Sequence, residues 1–376
     1  MKVYCSQIEL AKGLDVLRYK RPQDTPYIPI AQDDVLLATD NGQLKLAINN
    51  LELSIVHRVD AQVEEDGAVI VSLYDLIKSV SCLPSDRQVM LAVDPEELTL
   101  TVSSGATSMV LQGTSTDEFP KVPETKNVVT VKANDLRKGL KRVTFAASLD
   151  KLHPALTGVL MEFDANILTL VATDGFRLSM HYISFLQPVT HPFNIIVQAW
   201  MLEKLSHMLF RHHNESVTIS VTEDNNWVTF TFGDTSIGVK PISCAFPNYP
   251  NYRLIISSLK HNTRVTVNRK EWLQACKQAR VFTRSTAFHV RLHLGDGKVV
   301  MSTTCDKPKD FTTVNAVVEG ESLDIVFNVH FLIDVLDALN APEVILLVSK
   351  PKNPGVIKVL GDEDAFMHVI MPVLPR

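Results

Sequence analysis

The histidines His207, His212 and His213 and the pair Asp174 and Arg177 are the residues whose types and spacing come nearest to chemistry. A metal reading of the histidines needs an acidic or cysteine ligand at a suitable spacing, and none is convincing, so they read as solvent-exposed side chains. Asp174, three residues before Arg177, reads as a turn-stabilising pair and not as a catalytic dyad. The five cysteines, Cys5, Cys82, Cys244, Cys276 and Cys305, are odd in number and lack CxxC spacing, against both a disulfide framework and a zinc site. Such usage fits a reduced, cytoplasmic protein. There is no Walker loop, GxSxG elbow or HExxH helix. No catalytic residue, metal or cofactor is therefore expected. What recurs is basic: Lys12, Arg18, Lys20 and Arg21, then Arg137, Lys138, Lys141 and Arg142, then Arg269, Lys270, Lys277, Arg280 and Arg284. The net charge of −5 has the wrong sign for a general polyanion binder, so any attraction to phosphate must be local to these clusters.

Each cluster sits in or beside a helix-like run entered from a strand, and the arrangement returns about every 130 residues. Val3, Val131 and Val267 end short strands, and Ile8, Leu136 and Trp272 follow five residues later as the expected apolar anchors of SQIELAKGLDVL, ANDLRKGLKRV and NRKEWLQACKQA. Ser6, Asn134 and Asn268 are the expected caps, Asn268 coming two positions earlier in its unit than the others. A second helix per unit places Leu76, Leu202 and Leu332 five residues beyond Val71, Val197 and Phe327. Elsewhere the pattern has period two, as in Leu44–Ile48, Leu98–Val102, Val217–Val221 and Trp227–Phe232, the mark of half-buried antiparallel strands. Asp40-Asn41-Gly42 and Gly295-Asp296-Gly297 supply hairpin turns.

The fold class is therefore α+β, three tandem copies of one domain with two helices and antiparallel sheets each. A chain of 376 residues suits three domains of about 125. Periodicity lapses at the proline-bearing segments Asp117–Pro123 and Ala245–Tyr252, giving domains 1–122, 123–250 and 251–376. A hydrophobic content of 45% with 21% charge is that of a soluble globular chain, and no apolar run approaches the ~20 residues that span a bilayer. The chain opens directly on a strand and helix, so no signal peptide and no membrane partner are expected.

The segment Leu156-Thr157-Gly158-Val159-Leu160 followed by Leu170-Val171-Ala172-Thr173-Asp174-Gly175-Phe176-Arg177-Leu178 resembles the signature of the bacterial β sliding clamp, the processivity subunit of DNA polymerase III. The end of the chain, Gly361 to Val373 with its Met371-Pro372, resembles the family's terminal strand, and the likeness includes Phe246-Pro247 and Phe327-Asn328-Val329. The resemblance covers essentially the whole chain. It implies a head-to-tail ring dimer with helices facing double-stranded DNA, which would tether the replicative DNA polymerase, the clamp loader and repair proteins through short clamp-binding peptides. The alternative reading is a non-encircling peptide-binding scaffold derived from the same fold.

By this resemblance the peptide pocket comprises Leu156, Thr173, Gly175, Phe176, Arg177, Leu178, Pro247, Arg253, Leu254, Pro354, Val356, Val369, Met371 and Val373. The basic clusters become DNA contacts, joined by Lys151 and His153 in the loop 148–153. Met109 and Leu111 on an alternating strand, and Val281 and Phe282 after the third unit's first helix, become the dimer interface. Two features depart from the family pattern. Phe176 stands where the family commonly has His, and the tail continues through Leu374-Pro375-Arg376.

Overall fold

The computed structural model describes residues 1–18, 34–117, 119–185, 187–246, 261–283, 287–304 and 310–374. The first copy of the repeat runs β1 (Lys2–Ser6), α1 (Gln7–Leu17), β2 (Asp34–Asp40), β3 (Gln43–Asn49), β4 (Leu53–Val59), β5 (Ala61–Glu65), β6 (Ala68–Ser72), α2 (Leu73–Ser81), β7 (Gln88–Asp94), β8 (Thr99–Ser104) and β9 (Thr107–Thr114). The second runs β10 (Lys126–Lys132), α3 (Ala133–Val143), β11 (Gly158–Asp164), β12 (Ile167–Thr173), β13 (Arg177–Ser184), β14 (Phe193–Gln198), α4 (Ala199–Met208), β15 (Ser216–Val221), β16 (Val228–Phe232) and β17 (Thr235–Val239). The third runs β18 (Thr263–Asn268), α5 (Arg269–Phe282), β19 (His289–Gly295), β20 (Lys298–Thr303), β21 (Asp310–Gly320), β22 (Leu323–Asn328), α6 (Val329–Ala338), β23 (Glu343–Val348), β24 (Gly355–Val359) and β25 (Phe366–Ile370).

Each α-helix among the described residues starts directly from a strand and buries its fourth residue. Leu10, Leu136 and Trp272 do so in the first helices, Leu76, Leu202 and Leu332 in the second, all at 1% exposure or less. The expected anchor Ile8 is instead 45% exposed. The first copy is displaced by two residues from the expected register, so that Cys5 and not Val3 matches Val131 and Val267. A slip of two keeps every strand side chain on its own face, so the period-two pattern could not reveal it. Asn268 caps α5 by accepting from the backbone N–H groups of Lys270 and Glu271 at 3.0 and 3.2 Å. Ser6 precedes α1 but its side chain makes no capping bond. Asn134 lies within α3 and accepts from Arg137 Nη2 at 3.1 Å.

The chain packs as two compact units, Met1–Ala133 with Arg211–Pro241, and Asn134–Phe210 with Ile242–Arg376. The first unit holds a thirteen-strand array in the order β10-β15-β16-β17-β4-β3-β2-β6-β9-β8-β7-β1-β5; the second holds twelve, in the order β14-β11-β12-β13-β25-β24-β23-β18-β21-β20-β19-β22. Packing therefore divides the second copy: β10 and β15 to β17 join the first copy, and most of α3 with β11 to β14 and α4 joins the third. Strand pairing is the cause. In unit 1, β17 runs antiparallel to β4 with Thr235 opposite His57 and Val239 opposite Leu53. In unit 2, β25 runs antiparallel to β13 with Phe366 opposite His181 and Ile370 opposite Arg177.

Besides the terminal strands of the two arrays, two edges lack a full strand partner among the described residues. β9 pairs with β8 along Thr107–Gln112 but meets β6 only at Gly113 and Thr114. β21 gives its first half to β20 and its second to β18, so the other edge of residues 310–315 has no strand partner among the described residues.

Candidate functional sites

In unit 2 the β12–β13 turn presents a compact hydrogen-bonded corner. Asp174 Oδ1 accepts from the N–H groups of Phe176 and Arg177 at 3.0 Å each, and Thr173 Oγ1 accepts from Gly175 N at 3.1 Å while donating to the Arg177 carbonyl at 2.6 Å. Gly175 at φ +90° takes the left-handed position that the turn requires. Phe176 O accepts from Met371 N at 2.9 Å, which sets Phe176, 65% exposed, beside Met371, 47% exposed. Below them Leu178, Ile242, Phe246 and Met367 pack on a buried cluster of Ala155, Leu160, Val171, Met180 and Ile196. Leu156, Pro354 and Val373 are half-buried. Val356 and Val369 face each other across β24 and β25, at 1% and 7% exposure, and belong to the core. Pro247, Arg253 and Leu254 lie outside the described residues.

Three of the five N–H donors of Arg177 are engaged. Its Nε binds Asp174 Oδ2 at 2.9 Å, Nη1 binds Asp334 Oδ2 at 2.6 Å and Nη2 donates to the Phe145 carbonyl at 3.0 Å, with the Phe145 and Phe331 rings beside the guanidinium. The expected turn-stabilising pair is present, and Arg177 shapes this corner without offering a free cation.

The basic helices are more fully engaged than their sequence suggests. On α1, Lys12 pairs with Glu9 at 2.8 Å and Arg18 with Asp15 at 3.7 Å. On α3, Arg142 is the clear departure: at 3% exposure it binds Asp362 at 2.8 Å and lies over the Phe366 ring, so it cannot meet a phosphate. Lys138 reaches the same carboxylate at 2.8 Å. Arg137 is held by Asn134 and the Phe210 ring. On α5, Lys277 lies 3.7 Å from Asp337, and half-buried Arg269 donates to the Leu336 carbonyl. Lys141 and Arg280 are exposed with no ion-pair partner among the described residues. Lys151 is exposed in a loop whose Leu149 and Leu152 are 96% and 85% exposed, while His153 pairs with Asp150. Lys20, Arg21 and Arg284 lie outside the described residues.

Met109 and Leu111 are half-buried on the inward face of β9, with Val110 63% exposed between them. Val281 and Phe282 close α5 at 72% and 57% exposure. His207 and His213 are exposed, but His212 has an acidic neighbour that spacing did not reveal, Glu215 Oε1 at 2.8 Å. Among the described residues no group of three or more His, Cys, Asp and Glu could hold a metal ion. Burial pushes the Cys5 thiol up to about 12 and raises that of Cys276 as well, so neither is a ready nucleophile. No described helix is long and apolar enough to cross a membrane.

Three family models lie along the chain: the N-terminal domain of the DNA polymerase III beta subunit on residues 1–123, its central domain on 130–248 and its C-terminal domain on 259–374. A beta sliding clamp of Synechococcus elongatus is 30% identical over 385 residues, covering all of both chains. The chain belongs to the DNA polymerase III beta subunit family. Another beta sliding clamp, from Chlamydia muridarum, is 26% identical over 99% of each chain. The fold of the family is matched over the full length by solved beta subunits of Streptococcus pyogenes, with a TM-score of 0.89 at 21% identity, and Pseudomonas aeruginosa, 0.87 at 24%. Sequence reasoning on this family member missed Asp362, Asp334, Phe145 and Phe331, the residues that immobilise its arginines. None lies within helical or hairpin reach of its partner, so local spacing carries no signal for them.

Proposed function

We propose that this chain is a sliding clamp: two copies close head to tail into a ring round double-stranded DNA, and the ring tethers the replicative DNA polymerase and other DNA-processing proteins during synthesis. The observation that carries the reading is the pair of open edges. Within the chain, the last strand of one copy joins the fourth strand of the copy before it, β17 on β4 and β25 on β13. β9 is the last strand of the first copy and β21 the fourth strand of the third, and neither makes that junction among the described residues. Pairing β9 of one chain with β21 of another would repeat the junction and satisfy both edges, which are otherwise an aggregation hazard. Met109 and Leu111 would be covered from one side and Val281 and Phe282 from the other.

On this reading the chain has clamp domains at 1–122, 123–250 and 251–376. DNA is met by the exposed cations of α1, α3 and α5, chiefly Lys141 and Arg280, with Lys151 contributing. Such contacts touch phosphate and carry no sequence information, so the ring can slide. Polymerase, clamp loader and repair proteins dock short peptides beside Phe176, Leu178 and Met371, where an apolar floor and turn backbone suit leucine and phenylalanine side chains. The clamp is a non-catalytic cytoplasmic protein, and nucleotide addition belongs to the polymerase it holds.

Small-angle scattering across a dilution series tests the ring together with retention on nicked circular DNA. A hollow particle of twice the monomer mass, retained on circles and shed when they are linearised, is expected. A solid or elongated monomer at every concentration, with no preference for circles, would leave the open scaffold.

A further inference from the structure

We propose that unit 1 carries a second peptide-binding cleft, at the junction of β4 and β17, which takes an extended segment whose apolar side chain is flanked by carboxylates. The β3–β4 turn Asn49-Asn50-Leu51-Glu52-Leu53 repeats four bonds of the β12–β13 turn. Asn49 Oδ1 accepts from Leu51 N at 3.2 Å as Thr173 Oγ1 does from Gly175 N, and Asn50 Oδ1 accepts from Glu52 N and Leu53 N at 3.2 and 2.8 Å as Asp174 does from Phe176 and Arg177. Lys240 N donates to Glu52 O at 2.9 Å, the counterpart of Met371 N to Phe176 O. The corner read as a peptide site in unit 2 thus exists twice in the chain.

The unit 1 corner has an open cleft of about 260 Å³, walled by Leu51, Pro123 and Trp227 and rimmed by Lys121, Lys240 and Asp224. That is below the ~300–1,000 Å³ of sites for free small molecules, so it suits one or two side chains of a bound segment. Leu51 holds φ +67° where the other turn uses glycine, and its side chain is 56% exposed. A leucine kept in the left-handed region is strained, and such strain clusters at ligand-binding positions. Asp224 is occupied within its own turn by Thr222 and Asn226 at 2.6 and 2.7 Å. Lys121 and Lys240 have no ion pair among the described residues, so the mouth is left cationic above an apolar wall. That charge selects carboxylates next to the apolar side chain. The kind of ligand rests on the peptide reading of unit 2; the cleft and its charge do not.

The test uses the full chain with ¹⁵N-labelled tryptophan and ¹³C-methyl methionine, and an acetylated, amidated tetrapeptide aspartate-leucine-phenylalanine-aspartate as probe. The Trp227 indole signal, assigned by its loss in Trp227→Phe, is expected to move saturably. Lys121→Glu with Lys240→Glu should weaken that response on the order of tenfold, and Leu51→Gly, which fits the positive φ, should weaken it with the fold intact. The Met371 methyl reports the unit 2 corner in the same sample. A Met371 response with a silent Trp227 overturns the second cleft and leaves the first standing; Trp227 alone does the reverse, and silence at both removes both. Equal Trp227 shifts from a peptide with asparagine in place of aspartate, or from single-stranded oligothymidine, would overturn the acidic-peptide assignment.

Discussion

His181 and His368 are buried at 3% and 0% exposure, and each has one ring nitrogen without a hydrogen-bond partner. Burial, aided by Arg142 and Lys138, takes His181 down to about 3, and burial with Arg177 nearby holds His368 well below the usual histidine value. Both are therefore neutral when folded but protonate near 6.5 when unfolded. Their contribution to stability is whole above pH 6.5 and is lost as pH falls below it, continuing toward pH 3 for His181. By pH 5.5 the loss is about 1 kcal/mol for His181. Urea unfolding of His181→Leu at pH 7.5 and 5.5 should show that difference reduced by about 1 kcal/mol relative to the natural chain; an unchanged difference would mean His181 protonates in the native state. Asp362 is a separate case. Burial works to raise its pKa, yet hydrogen bonds from Lys138 and Arg142 hold it below the carboxylate range. Asp362→Ala leaves Arg142 buried and unpaired, a loss of about 2–3 kcal/mol readable in the urea midpoint at pH 7. None of this was legible in the sequence, because Arg142 and Asp362 lie 220 residues apart.

At the scale of elements, helix position depends on two glycines that occupy the same place in successive copies. A Cβ on Gly139 of α3 would meet His181, Ile183 and Leu170 side-chain atoms at 2.7 to 3.0 Å, and one on Gly13 of α1 would meet His57, Leu46 and Val59 at 2.8 to 3.0 Å. Alanine ordinarily favours a helix by about 1 kcal/mol over glycine. Here overpacking of about 1–3 kcal/mol works against it, so Gly139→Ala should lower stability by about 1 kcal/mol in denaturant unfolding. The strands, hairpin turns and second helices were legible because burial imposes its period on residue type: Leu76, Leu202 and Leu332 are all core residues. The start of the first copy was not, since Val3 and Cys5 share a face and either could have been the matching residue. The twin turns were also hidden. Asn-Asn-Leu and Thr-Asp-Gly accept the same three backbone N–H bonds with different side chains, and only hydrogen-bond geometry equates them.

For the whole molecule, charge and closure can be separated by experiment. The chain is acidic overall, and much of its helical cation is neutralised within the fold, so the hold on DNA rests on few side chains. Lys141→Glu with Arg280→Glu should shorten retention on circular DNA and reduce the salt slope by about 2, with the dimer unchanged in scattering. Phe282→Asp should abolish the dimer and with it retention, leaving the fold of each unit intact; persistence of the dimer would displace the interface from the end of α5. The open edges on β9 and β21 have one more consequence. They are different surfaces, so contact between them is directional and carries no stopping rule of its own: each added copy offers a fresh β21 edge until the last one meets the first. A substitution that altered the angle at β4–β17 or β13–β25 would not simply yield monomers. It would convert a closed particle into threads with two reactive ends that lengthen with concentration.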